Sequence, residues 1–343
     1  MQTKMMEVNE ERSYEIAADY LNNGEVVAFP TETVYGLGAV ATNQGAVTKI
    51  FEAKGRPSDN PLIVHIGSKE EVEKYAVEVP AHAKVLMEHF WPGPLTLIMK
   101  VKPGVLAENV TAGLDTVGIR MPDHPVALKL LQTVKQPVAA PSANRSGKPS
   151  PTEAEHVYHD LEGKIPLILN GGATGIGVES TVLDVTTATP VILRPGGVTK
   201  EMLEEIIGPV EDSIPFGVGE KEAPRAPGMK YQHYAPDSPV YLIEQNYENI
   251  EQAISELHND GKKVAFIGPD AFLDTGADWF FSTGSLEDLS EFTKSLYAAL
   301  RACDDTEADV ILATATKREG VGAAIMNRLE KAADRKWYKL AEE

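Results

Sequence analysis

Short apolar runs of strand length alternate, almost from end to end of this chain, with stretches whose apolar residues recur every three or four positions. Runs rich in Val, Ile and Leu read as buried strands, and the three-to-four spacing reads as helices. Interleaved in this way, they predict layered α/β architecture on twisted sheet. Strands are expected at 26–29, 62–66, 95–101, 117–121, 138–140, 166–169, 181–185 and 191–193. Helices are expected at 13–21, 47–53, 84–90, 126–134, 153–161 and 200–207. Asn22-Asn23-Gly24 and Trp91-Pro92-Gly93-Pro94 stop the helices before them.

The segment 208–236 breaks the pattern. It carries Pro209, Pro215, Pro224, Pro227 and Pro236 with several glycines. It is longer than an ordinary connection and reads as a linker or a functional lid. A second α/β pattern follows, with strands expected at 240–243, 264–267, 279–282 and 310–313. A helix is expected where Leu286, Leu289, Phe292, Leu296 and Leu300 recur, with Ser285 and Asp288 as a capping box, and a last helix over 323–333. The expected domains are 1–208, a linker or lid at 209–236, and 237–343.

Composition narrows the function classes. Of 343 residues, 43% are hydrophobic and 24% charged, which supports a folded core. The net charge of −19 argues against nucleic-acid binding by overall charge, though not against a local basic cleft. Residues 237–343 hold 21 acidic against 11 basic residues, so the second domain is the more acidic per residue. Cys303 is the single cysteine, which excludes an intrachain disulfide and points to a reducing compartment. The charged start of the chain lacks the apolar core of a targeting signal, and no run is long and apolar enough to span a membrane. A soluble, cytoplasmic protein is expected.

Chemistry is expected at the turns that close several strands, where open α/β sheets place ligands. Lys54 and Arg56 flank Gly55, Arg120 ends one strand and Arg194 another. Arginine suits bidentate recognition of carboxylate or phosphate. In so acidic a chain, four cations at strand ends suggest one focused anion site, although each alone could pair with a carboxylate. Ser142 and Asn144 follow an apolar strand and could join Ser146 and Gly147 in an anion-binding nest, or form a simple polar turn.

Other signals fail. Ser142 lacks the glycines of a nucleophile elbow. No phosphate-binding P-loop occurs, and Gly172 to Gly177 leads into a strand-like run rather than a helix. His156 and His159 read as a solvated pair, and Cys303 as a packing residue. His65, inside the apolar run 62–66, is either a satisfied core histidine or a ligand contact.

The motifs PTETVYGLG (30–38), KGRPSDNPLIVHI (54–66), WPGPLTLI (91–98), VGIRMPDHP (117–125), APSANRSGKPSPT (140–152), ESTVLDV (179–185) and LRPGG (193–197) occur together and in order. With them the chain resembles the threonylcarbamoyl-AMP synthase family, also called YrdC-like. APGMKYQHYAP (226–236) and the acidic α/β tail resemble its longer, two-domain form. One departure is Arg225-Ala226, where relatives often carry serine. The implied fold is an N-terminal YrdC-like twisted mixed sheet with helices, a Pro/Gly-rich linker and a smaller C-terminal Rossmann-like α/β domain.

The resemblance further implies an L-threonylcarbamoyladenylate synthase, a nucleotidyltransferase that uses L-threonine, bicarbonate or CO2, and ATP. It releases pyrophosphate and serves threonylcarbamoyladenosine formation at position 37 of tRNAs reading codons that begin with A. Thr33, His65, Arg120, Ala140 and Ser180 match the threonine-contacting residues. Arg56, Asn60, Thr116, Ser142, Ser150, Arg194 and Tyr234 match those contacting ATP. Lys54, Arg56, Ser142 and Asn144 match the catalytic Lys-x-Arg and Ser-x-Asn motifs. Mg2+ is expected on the phosphates, without a dedicated protein site. The Pro-rich segment ending in Met229 to Tyr234 is the candidate lid. The downstream partner is the tRNA threonylcarbamoyl transferase machinery, and direct tRNA contact is expected to be absent or weak. The competing readings are an RNA-binding protein and a nucleotide or amino-acid sensor without turnover.

Overall fold

The computed structural model describes residues 1–8, 11–213 and 233–341. They form two compact units. The first comprises Met1–Ser146, Pro151–Gly175 and the described part of Glu179–Lys230; the second comprises Gly147–Ser150, Ile176–Val178 and the described part of Tyr231–Glu343.

The strands of the first unit are β1 (Lys4–Glu7), β2 (Val27–Phe29), β3 (Gly36–Val40), β4 (Ile63–His65), β5 (Leu95–Lys100), β6 (Thr116–Arg120), β7 (Val138–Ala139), β8 (Leu167–Asn170), β9 (Thr181–Asp184), β10 (Val191–Arg194) and β11 (Glu211–Asp212). They make one mixed sheet in the order β1-β8-β2-β3-β7-β4-β6-β5-β9-β10-β11. The helices are α1 (Glu11–Asn22), α2 (Gln44–Lys54), α3 (Val72–Tyr75), α4 (Ala81–Phe90), α5 (Glu108–Thr111), α6 (Pro125–Val134), α7 (Ala154–Leu161) and α8 (Lys200–Ile207).

The strand runs are continuously apolar because both faces of the sheet are covered. Successive side chains of a strand point to opposite faces. Val27 and Phe29 of β2, with Leu167 and Leu169 of β8, accordingly join α1 and α6 in one apolar cluster. Ala28 and Ile168, the residues between them, belong to a second cluster that includes residues of α2, α4 and α7. α1 turns Ser13, Ala17 and Leu21, spaced by four, into this packing. Fully burying a side chain such as Leu21 contributes about 2 kcal/mol.

Three strands of this unit, β1, β3 and β11, depart from expectation. β1 was not expected, because its Lys4, Met5 and Glu7 are exposed and only one neighbour, β8, fixes it. β3 was not expected, because GLGAV is poor in strand-favouring residues. Its Gly38 makes room for side chains of β7 and β2: a Cβ there would lie 2.7 Å from Val138 Cγ1 and 2.8 Å from Phe29 Cε1.

The second unit carries β12 (Val240–Ile243), β13 (Val264–Gly268), β14 (Trp279–Ser282) and β15 (Val310–Thr314), all parallel, in the order β12-β15-β13-β14. Its helices are α9 (Tyr247–Asn259), α10 (Leu289–Asp304) and α11 (Val321–Ala332). The expected capping box is corrected. Asp288 itself is the cap of α10 and accepts from Ser290 N at 2.9 Å. Ser285 lies upstream and donates its backbone N–H to Glu291 Oε2 at 2.9 Å. Leu286 is therefore outside the helix and exposed. Cys303 is buried in the last turn of α10, as read.

Of the proline-rich segment, the candidate lid, residues 214–232 lie outside the described residues. β11 falls within that segment and pairs in parallel with β10. Tyr234 belongs to the second unit, where its ring lies 5.3 Å from that of Tyr297 of α10.

Candidate active site

The site grows from the turn after β2. Thr31 Oγ1 donates to the Val34 carbonyl at 2.7 Å and accepts from Thr33 N at 3.2 Å. This hydroxyl-braced turn fixes the backbone on either side of Glu32. Tyr35 ties it to a distant loop by donating to the Gly172 carbonyl at 2.8 Å. Burial pushes the Tyr35 phenol up to about 12, so this group is a structural tie and stays protonated.

Arg120, the last residue of β6, reaches this turn and is only 4% exposed. Its Nε donates to the Gly93 carbonyl at 3.2 Å, Nη1 donates to Thr33 Oγ1 at 3.0 Å, and Nη2 pairs with Glu32 Oε1. A guanidinium has five N–H groups. Three are used here among the described residues, which leaves two for a ligand.

His65 ends β4 and stands beside Arg120 in the parallel register of β4 and β6. Its Nδ1–H donates to the Ile63 carbonyl at 3.1 Å. Burial, helped by the Arg120 charge, pushes the imidazole down to about 3, so the ring is neutral near pH 7. On the other side of the sheet order, Ser180 precedes β9 and its Oγ lies 2.8 Å from Thr96 Oγ1 of β5. Arg194, at the end of β10, clasps Ser180: Nε and Nη2 donate to its carbonyl at 3.1 and 3.0 Å, and Nη2 to its Oγ at 3.2 Å. The Glu179-Ser180-Thr181 turn is pressed against Gly196, where a Cβ would lie 2.3 Å from Thr181 N and 2.4 Å from the Glu179 carbonyl. Ala140 closes the row by donating its N–H to the Ile63 carbonyl at 3.0 Å.

A second cluster gathers at the loop after β7. Ser142 bridges to Gly36, so the first and fifth motifs meet. Lys54, the last residue of α2, is 2% exposed. Its Nζ donates to the Ser142 carbonyl at 2.5 Å, the Asn144 carbonyl at 2.6 Å and Asn144 Oδ1 at 3.2 Å. Ser142 Oγ also donates to Asn144 Oδ1 at 2.6 Å. In this structure Lys54 holds the Ser142–Asn144 loop. Arg56 Nη2 donates to the Pro61 carbonyl at 3.2 Å. Asn60 is 1% exposed, and its Oδ1 accepts no hydrogen bond among the described residues.

The residues expected on ATP come from several elements. Asn60 precedes β4 and Thr116 opens β6, at the strand ends away from His65 and Arg120. Four residues of strand put Thr116 about 13 Å from Arg120 along β6. Arg194 lies instead with Ser180. Among the described residues, no group of three or more His, Cys, Asp or Glu could hold a metal ion.

Three participants were missed in the sequence. Glu32 stands inside a motif already singled out, and an acid between two threonines was a usable signal. Thr96 is masked by the apolar run around it. The Gly93 carbonyl is backbone and leaves no residue-type signal.

A family profile described as "Telomere recombination" matches residues 19–196. Another, described as "Threonylcarbamoyl-AMP synthase, C-terminal domain", matches residues 198–334. A threonylcarbamoyl-AMP synthase of Bacillus subtilis is 53% identical over 319 residues, covering 92% of each chain. The chain belongs to the threonylcarbamoyl-AMP synthase family. The likeness extends to a Schizosaccharomyces pombe synthase, 41% identical over 93% of this chain and 88% of that one. A crystal structure of Pyrococcus abyssi Sua5 complexed with L-threonine superposes with a TM-score of 0.93, at 46% identity, over 99% of this chain and 100% of that one. The expected mixed-sheet and parallel-sheet domains of this family are both present in the fold.

Proposed function

We propose that this member of the threonylcarbamoyl-AMP synthase family makes L-threonylcarbamoyladenylate from L-threonine, bicarbonate or CO2, and ATP, and releases pyrophosphate. The observation that carries the reading is the buried Arg120, fixed through three donors and flanked by Thr33 and His65. An amino-acid carboxylate fits the two remaining N–H groups as a bidentate partner. The neutral His65 and the hydroxyls of Thr33, Thr96 and Ser180 offer hydrogen bonds to a small polar side chain without adding charge.

The residue assignments are part of the proposal. Thr33, His65, Arg120, Ala140 and Ser180 hold threonine. Arg56, Asn60, Thr116, Ser142 and Arg194 hold ATP, and the orphaned Oδ1 of Asn60 supports a ligand at that end. The family resemblance assigns Ser150 and Tyr234 to ATP as well. Lys54, with Asn144, keeps the Ser142 loop in shape.

The chemistry has two steps. The threonine amine, having lost its ammonium proton, forms an N–C bond to CO2 and gives a carbamate with release of a further proton. A carbamate oxygen then attacks the α-phosphorus of ATP, and the bond to the β-phosphate oxygen breaks to expel pyrophosphate. Such a displacement rests on alignment and charge stabilisation and needs no protein nucleophile. Mg2+ bound to ATP would take its ligands from phosphate oxygens and water, and would neutralise part of their charge.

The product would pass to the tRNA threonylcarbamoyl transferase machinery in the cytoplasm. No helix among the described residues is long and apolar enough to cross a membrane. The test is pyrophosphate release: it should require threonine and bicarbonate together, and release with either alone at the same rate overturns the proposal.

A further inference from the structure

Glu32 is assigned no substrate contact in the reading above, yet it pairs with Arg120, one of the proposed threonine contacts. It is 8% exposed, and one carboxylate oxygen, Oε1, pairs with Arg120 Nη2. The other, Oε2, is buried and accepts no hydrogen bond among the described residues. A buried carboxylate oxygen without a donor is costly unless a ligand supplies one. Beyond Arg120, which engages Oε1, the facing histidines do not supply a cation. His65 is held neutral, and burial lowers the pKa of His124, the cap of α6, although the Glu32 charge acts to raise it.

The charge balance sharpens the point. Arg120 alone would attract any carboxylate. A carboxylic acid bound there must also lie near Glu32, whose negative charge opposes an anion and favours a cation. An α-amino acid carries both charges on neighbouring atoms and satisfies both partners. Its analogue without the amine carries only the unfavourable one.

We infer that Glu32 is the specificity residue for the α-ammonium group of the substrate, through its Oε2. Arg120 selects the carboxylate, and Glu32 rejects acids that lack the amine. This rests on the threonine-binding reading proposed above.

The experiment is calorimetric titration of the full chain with L-threonine and with 3-hydroxybutyrate, its counterpart lacking the amine. The wild type should prefer threonine. Glu32→Gln keeps the shape and removes the charge, and should cut that preference about ten- to a hundredfold, the span of one lost charged hydrogen bond. Threonine should weaken while 3-hydroxybutyrate holds or tightens. Equal weakening of both ligands would mean that Glu32 merely props Arg120, and overturns the inference. Glu32→Asp, which keeps the charge, should retain the preference; its loss there also overturns it. A wild type that binds no threonine overturns the threonine reading itself.

Discussion

Lys54 Nζ lies 2.6 Å from the carbonyl oxygen of Asn144, ninety residues away in sequence. With its further bonds to Ser142 and Asn144 Oδ1, this one ammonium closes the loop that carries the Ser-x-Asn motif. Lys54→Ala would leave buried carbonyl oxygens without a donor. It should cost about 3 kcal/mol of stability, the scale of breaking a buried charged contact, and remove activity. Thermal melting and pyrophosphate release check both. An intact melting temperature with lost activity would instead mean that Lys54 acts on the phosphates directly.

Arg120→Lys keeps the charge and loses the fork. A lysine cannot serve Gly93, Thr33 and Glu32 and still offer two parallel N–H groups. The KM for threonine should rise about 30- to 100-fold, with the KM for ATP changed little, since the loss is one bidentate contact. Initial-rate kinetics with each substrate varied in turn measures it.

His65 predicts a pH signature. Its folded value near 3 lies below the ordinary histidine value of about 6.5. The unfolded chain therefore binds one more proton between those values. The stability is fully present above about pH 6.5 and is lost as pH falls toward 3. Below pH 6.5 the wild type should lose stability more steeply than His65→Asn, by about 1.4 kcal/mol per pH unit. Urea unfolding at pH 7.5, 6 and 5.5 compares the slopes, which are independent of any constant cost of the substitution. Equal slopes would show that His65 is ordinarily protonated.

Gly196→Ala places a Cβ against Thr181 N and the Glu179 carbonyl. Backbone must move, at about 1–3 kcal/mol, and Ser180 moves with it. The variant should melt lower and bind threonine more weakly than a control substitution on the exposed face of α7.

Much of this was readable in the sequence, and the exceptions have physical causes. The strands at 240–243 and 279–282 and the helix at 200–207 fall where the apolar periods place them. β1 escaped because an exposed edge strand has no buried face to imprint a period, and β3 because glycine leaves no apolar mark where neighbouring side chains crowd in. α9 does carry the helical spacing, in Ile250, Ala253, Ile254 and Leu257. In the site, single residues such as Arg120 and Ser180 were readable from motifs. Pairings were not: Arg120 with Glu32 and Thr96 with Ser180 join positions more than eighty residues apart. Only the sheet order brings them together.

The most direct measurement is mass spectrometry of the product formed from ATP, L-threonine and carbon-13 bicarbonate. The expected result is a threonine–AMP conjugate carrying one labelled carbon, formed together with pyrophosphate. Unlabelled threonyl-AMP, or ATP turned over with no threonine conjugate at all, would contradict the proposed synthase.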